Sequence, residues 1–313
     1  MSNEQLKVAS DQAQASYLEL IQQFRDPPES RRNSPSNAAT FDEMLGEAEE
    51  NLLRYPAPYQ NAEGEWVPRS KGLITADEVR AEANPELLPF LNTLQMPQAP
   101  RVRDDFKIIP ARELSDVVQQ KQADDAWNRP FVEGLTHDQN GRGSCASEGA
   151  SGGTVFCEAK QGNELIEKLN GFALYDLVNG GRDGGSSLSD NIAAIQKYGC
   201  PSERIFPRSN RFGAEWTDAA KEDALRHRVD EFWRVSNKEE YATALALGMC
   251  VYSGYSGHAW YGIDLNATDP VNRLDWHNSW GQDWADNGFS TLRYSSVAWY
   301  YGCWTFRTAR RAA

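Results

Sequence analysis

Apolar residues recur at helical spacing in the first part of the chain and gather into strand-like runs in the last. Leu18, Leu20, Ile21 and Phe24 share one face of a predicted helix over 6–24, which breaks at Asp26-Pro-Pro-Glu. Residues 30–37 are polar and contain Pro35, as a linker does. Thr40 with Glu43, and Thr75 with Glu78, both carry the capping-box pattern. They open predicted helices to about Arg54 and about Ala83. A further short helix follows Pro85 as far as Leu94, and Pro56, Pro58, Pro68, Pro97 and Pro100 punctuate the connectors. Residues 1–123 therefore read as a mainly helical, extended, acidic segment that need not form a core alone.

From about Asp124 the pattern becomes mixed. A helix is predicted from Cys145 to Lys160 although Gly149, Gly152 and Gly153 each cost it about 1 kcal/mol relative to Ala. Close packing against a neighbour is the natural reason to accept that cost. Further helices are predicted over 164–178, 189–198 (with Gly199 as its C-cap residue), 218–235 and 238–246. Aromatic and β-branched runs over 249–253, 259–265, 273–277 and 288–294 are separated by Gly, Asn and Pro and predict antiparallel strands. Helices first and strands last give an α+β fold with a helical half and a sheet half.

Composition narrows the function. The 313 residues carry a formal net charge of −13, which disfavours nucleic acid as a main partner, because no basic stripe is available to neutralise phosphates. Arg307 to Arg311 reads as a solvated tail. The first residues lack a signal-peptide pattern, and no run approaches the ~18 apolar residues of a membrane span. The five cysteines are Cys145, Cys157, Cys200, Cys250 and Cys303, an odd number without zinc-ligand spacing. Reduced thiols in a cytosol-like compartment, or within a multi-protein particle, are expected, with no metal or other cofactor. Four of the five sit beside apolar residues and read as buried, inert thiols.

Cys145 differs. It follows Asp138-Gln-Asn-Gly-Arg-Gly-Ser where a loop runs into a helix, and a helix start favours negative charge and lowers a thiol's pKa. It is the candidate nucleophile, and a nucleophile needs a base held by an orienting group. There are four histidines. His137 lies shortly before Cys145, His277 directly precedes Asn278, and His227 in Arg226-His-Arg reads as solvent-facing. His258 opens a strand in Gly257-His-Ala. An amide such as Asn278 could fix an imidazole's tautomer, and an indole such as Trp280 could cover that bond. A turn and a core plug would account for Asn278 and Trp280 equally well.

Taken in order, Gln139-x5-Cys145, Gly257-His258-Ala259 and Asn278-Ser-Trp280-Gly-x2-Trp284-x3-Gly288 resemble the papain-like (C1) cysteine peptidases, over roughly residues 124–310. Asp183-Gly-Gly-Ser-Ser-Leu is similar to the family's glycine loop at the substrate cleft, and the disulfide-free forms are the nearest. The resemblance implies a two-lobed papain-like domain over 124–313 preceded by residues 1–123 as a pro-segment or docking arm. It also implies a protein or peptide substrate, and roles for single residues. Cys145 would attack as thiolate, and His258 would be its imidazolium partner. Asn278 would orient His258 under Trp280, and Gln139 with the Cys145 N–H would form the oxyanion hole. Gly184 and Gly185 would pair an extended peptide. His258 comes earlier than the family spacing of about 130–150 residues, which implies a trimmed loop before it. Ala146 replaces the family's usual Trp, Arg142 stands at a usual half-cystine, and Glu148 occupies an apolar position. These departures favour a second reading, an assembly protein on the same fold that binds partners through residues 1–123. A third, an amidase or transferase on this fold, is opposed by the Asn-Ser-Trp-Gly segment.

Overall fold

An almost wholly buried helix lies against a six-stranded antiparallel sheet, and the rest of the chain is laid over these two elements. The computed structural model describes residues 72–308 apart from 95, 97, 163–165, 209–212, 214 and 256, together with 8, 11, 12, 15, 48, 59, 60, 66 and 67. Apart from those isolated early positions, the predicted helices over 6–24 and 40–54 and the linker at 30–37 lie outside the described residues.

A short antiparallel pair, β1 (Tyr59–Gln60) and β2 (Trp66–Val67), precedes the first helices. These are α1 (Ala76–Glu82), α2 (Leu88–Leu91), α3 (Val102–Asp105) and α4 (Leu114–Ala123). Next come α5 (Cys145–Lys160), α6 (Gly171–Val178), α7 (Leu188–Tyr198) and α8 (Asp218–Ala224). Strand β3 (Val229–Arg234) and helix α9 (Lys238–Ala246) lead into β4 (Val251–Tyr255), β5 (His258–Leu265), β6 (Arg273–His277), β7 (Phe289–Arg293) and β8 (Trp304–Thr308). The sheet order is β3-β8-β4-β5-β6-β7, antiparallel throughout. This is the expected α+β, papain-like architecture.

Local chemistry explains most boundaries. Thr75 caps α1 in a true capping box with Glu78. Ser187 caps α7 through the Asp190 N–H, and Gly199 ends it at φ +74°. A side chain at Gly199 would also strike the Ala224 carbonyl oxygen. The glycines of α5 are there for the sheet. A Cβ on Gly152 would stand 2.7 Å from the Tyr261 ring and one on Gly153 2.7 Å from the Phe306 ring, while Gly149 faces Tyr252 and the Trp260 backbone.

Three expectations fail for identifiable reasons. The helix predicted over 164–178 starts only at Gly171, because Asn170 caps it and Leu169 is held extended against Ser202. The helix predicted over 218–235 ends at Ala224. Val229–Arg234 is instead a strand, since pairing with β8 outweighs local helical propensity. His227 falls in the turn between them and is buried rather than solvent-facing, its Nδ1 3.0 Å from both Glu158 carboxylate oxygens. Strand β8 also claims Arg307 from the expected tail, and α4 was not legible in the sequence.

Two apolar clusters flank the sheet. One joins α5, α6 and α7 to Tyr252, Tyr261 and Phe306, and the other gathers Tyr241, Leu245, Trp260, Trp276, Trp280 and Trp284. The N-terminal segment enters both, with Leu73, Val79, Leu91 and Leu94 in the first and Val102, Leu114 and Val118 in the second. All five cysteines are buried and free of disulfides, as expected for the four inert thiols. Among the described residues no helix is long and apolar enough to cross a membrane.

Because ring contact rather than propensity sets these positions, Gly152→Ala and Gly153→Ala should each lower the melting temperature. Overpacking of about 1–3 kcal/mol exceeds the helical gain of about 1 kcal/mol. A raised melting temperature in either variant would contradict that packing.

Candidate active site

Close packing of α5 on β4 and β5 decides where Cys145 lies. The Tyr252 hydroxyl donates to the Ala146 carbonyl (2.6 Å), which fixes the first turn of α5 against β4. The Cys145 thiol is fully buried, and the backbone N–H of Ala259, the residue directly after His258, lies close enough to favour its ionised form. Cys145 and His258 are thereby brought to one place, from the start of a helix and the start of a strand.

His258 is held on two sides. Its Nε2 lies 2.7 Å from Asn278 Oδ1, and the Trp280 ring stacks on it at 4.3 Å with 29° between the planes. Asn278 Oδ1 also accepts from the Ser279 N–H (2.8 Å), and the Asn278 N–H donates to the Gly288 carbonyl (2.9 Å). His258 and Trp280 are fully buried and Asn278 nearly so, which keeps water from competing for the imidazole bond. Gln139 belongs to the same assembly. Its N–H donates to the Ser279 carbonyl (2.9 Å), and its side chain accepts from Ser279 Oγ (2.9 Å) and donates to the Arg142 carbonyl (2.6 Å). Cys145, His258, Asn278, Trp280 and Gln139 thus converge.

The glycine loop is joined to this centre by Asp183, whose Oδ1 accepts from the Gly143 N–H and the Tyr175 hydroxyl, both at 2.8 Å. The Tyr175 oxygen accepts from the Gly185 N–H (3.0 Å). That bond takes the Gly185 donor away from any peptide in the cleft. Gly185 contributes by its lack of a side chain: at φ +109°, a Cβ would stand 2.4 Å from the Gly72 carbonyl oxygen. Gly184 is exposed beside Arg182. An extended chain pairs instead with Ser186, and that chain is the protein's own.

Residues 72–74 cross the cleft. The Gly72 carbonyl accepts from the Ser186 N–H (2.8 Å), the Ile74 N–H donates to the Ser186 carbonyl (3.3 Å), and the Leu73 N–H donates to the Gly257 carbonyl (2.9 Å). The Leu73 side chain fills the space left by Gly254. Beyond it, Arg80 grips buried Asp190 on α7 with two bonds of 2.9 and 3.0 Å, and Leu91 and Leu94 enter the core. The Gly72 N–H lies close enough to the Cys145 thiol to favour its ionised form, while the Gly72 carbonyl accepts from the Ser186 N–H.

Burial pushes the Cys145 thiol up to about 11, although the N–H groups of Ala259, Gly72 and Ala146 pull the other way. A lowered thiol pKa was expected from the helix start. Under the strap, desolvation outweighs the helix-terminal donors.

One set of residues escaped the sequence reading. Glu148, one turn into α5, is buried, with Oε2 2.6 Å from His137 Nδ1 and Oε1 bonded to Arg208. Burial raises the Glu148 carboxyl, but Arg208 and His137 outweigh it and hold the group below its ordinary value. Burial also lowers the His137 pKa, so the pair is carboxylate and neutral imidazole. Arg142 and Arg208 lie over the Phe172 ring at 4.2 and 4.0 Å. His137 and Glu148 are eleven positions apart, and no local spacing announces them as partners. The one signal was an acidic residue at an apolar helix position.

No family model and no curated protein matches the sequence. Solved structures do resemble the fold. Digestive procathepsin L 3 of Tenebrio molitor larval midgut superposes with a TM-score of 0.52 at 13% identity, over 95% of this chain and 99% of that one. A structure from work on antibody cross reactivity between the mite allergens Blo t 1 and Der p 1 gives 0.51 at 15%, over 88% and 95%.

A thiol with a pKa near 11 should react slowly. In the intact chain, Cys145 alkylation is expected to be slow at pH 7 and to rise up to about pH 11. A rate at pH 6 already equal to that at pH 9 would show a preformed thiolate.

Proposed function

Since the chain has the papain-like cysteine protease fold, we propose that it is a cysteine peptidase. The observation that carries this reading is the His258–Asn278 bond of 2.7 Å under the Trp280 ring, at the head of the strand whose Ala259 N–H lies near the Cys145 thiol. His258 Nδ1 takes the thiol proton, and the thiolate attacks the scissile carbonyl carbon. The resulting oxyanion receives hydrogen bonds from the Cys145 N–H and the Gln139 side-chain amide. As the C–N bond breaks, His258 returns its proton to the leaving amine, and a thioester remains on Cys145. A water, deprotonated by His258, then releases the acid and the thiol. Asn278 accepting from Nε2–H fixes the tautomer that leaves Nδ1 for this exchange. The substrates are peptides or proteins, and no cofactor takes part.

Residues 1–123 act as an inhibitory segment whose residues 72–94 close the cleft. Support comes from the Gly72 pairing with Ser186, from Leu73 against Gly254, and from the Arg80–Asp190 pair. Leaving the cleft would expose Cys145 and lift the desolvation that now holds its proton. The covered thiol also favours the alternative, in which the papain-like domain serves assembly through its N-terminal arm.

Peptide hydrolysis by full-length variants separates the two. Arg80→Ala and Leu73→Asp should raise turnover above the wild type, and Cys145→Ala or His258→Ala in either background should return it to baseline. Gln139→Ala in the Arg80→Ala background should cost about 10²–10³-fold in kcat. No hydrolysis from any strap variant, with folding intact, would favour assembly.

A further inference from the structure

Beside the Asn278 side chain lies a small enclosed cavity lined by His137, Glu148, Trp260, Tyr261, His277 and Asn278, among others. It offers about 10 Å³ to the centre of a water-sized sphere, close to what one water needs. Among the described residues, no partner reaches two polar atoms of residues on its walls: His137 Nε2 and Asn278 Nδ2. Their residues are only 4% and 3% exposed. Buried polar atoms of native proteins are almost always paired, with protein or with ordered water.

The two atoms are complementary. His137 Nδ1 carries the proton toward the Glu148 carboxylate (2.6 Å), so Nε2 presents a lone pair. Asn278 Oδ1 faces His258 and the Ser279 N–H, which fixes Nδ2 as the donor end. One water accepts from Asn278 and donates to His137. His277 is already engaged, with Nδ1 2.6 Å from the Tyr261 hydroxyl and Nε2 2.8 Å from Thr136 Oγ1.

We propose that this cavity binds one structural water that joins His137 to Asn278, which makes His137, backed by Glu148, a positioning residue for the His258–Asn278 pair. Its consequence for rate rests on the peptidase reading. A buried amide hydrogen without a partner favours any turn of Asn278 that reaches one, and that turn withdraws Oδ1 from His258. The water removes the incentive. Glu148 keeps His137 in the one tautomer that can accept, and Arg208 keeps Glu148 ionised. The acidic residue in the nucleophile's helix thus acts through three intermediaries on the imidazole.

The test has one arm that needs no catalysis. A crystal structure of the full-length Cys145→Ala protein is expected to show an ordered water within hydrogen-bond distance of His137 Nε2 and Asn278 Nδ2. Nitrogen-15 spectra of the same protein should show His137 as the Nδ1–H tautomer. A dry cavity, or an Nε2–H tautomer, overturns the proposal. In the second arm, made in the Arg80→Ala background, His137→Phe should lower kcat about tenfold with KM little changed. His137→Gln can donate to Glu148 and accept from the water, and should recover most of that loss. Equal losses in the two variants, or a change confined to KM, overturn the positioning role. Should His137→Phe fail to fold, the water and the His137 tautomer in the Cys145→Ala protein still decide the proposal. Absence of hydrolysis in the Arg80→Ala background defeats the peptidase reading, while the crystal structure still decides the water site.

Discussion

Everything near the centre follows from how closely α5 can approach β4 and β5. Ala146, Gly149, Gly152 and Gly153 remove the side-chain layer that would separate helix from sheet, and Tyr252, Tyr261 and Phe306 fill the space down to the helix surface. That approach brings the Cys145 thiol near the N–H of Ala259, the residue directly after His258. A bulkier helix would still fold against a sheet, but it would carry the thiol away from the imidazole. The propensity cost of the glycines is the local expense of a long-range geometry.

The loop before Cys145 is held without disulfides. Gln139 and Asp138 are stitched to Ser279 and Trp280, Gly143 to Asp183, and Arg142 and Arg208 both lie against Phe172. Glu148 sits at the end of this network as a buried carboxylate bonded to His137, Arg208 and Ser144. Burying a charge is costly unless it is paired and bonded, and removal of one partner leaves the other exposed to that cost. The network therefore tolerates little change in any single member. It holds the loop by directed polar contacts.

How much of this was legible depended on the range of the signal. Thr75, Ser187 and Gly199 announce their caps locally, and the helix 145–160 and strand 273–277 were legible to the residue. Cys145, His258, Asn278 and Trp280 were legible through motif order, although no spacing rule states that Trp280 stacks on His258. Strand β3 was not, because its partner β8 lies some seventy residues away and the intervening turn looks helical. The strap at 72–74 was equally hidden, since Gly72 and Leu73 carry no mark of where they dock. Glu148 could be flagged as misplaced, but only the fold shows that His137 and Arg208 receive it.

The central claim is that Cys145 forms a covalent acyl intermediate once the cleft is open. Acid-quenching the Arg80→Ala protein during turnover of an activated peptide ester, followed by peptide mass mapping, measures this directly. The account requires the acyl mass on the peptide containing Cys145 and its loss when His258 is replaced by Ala. An adduct on another cysteine, or hydrolysis with no adduct in a variant still carrying Cys145, would contradict it.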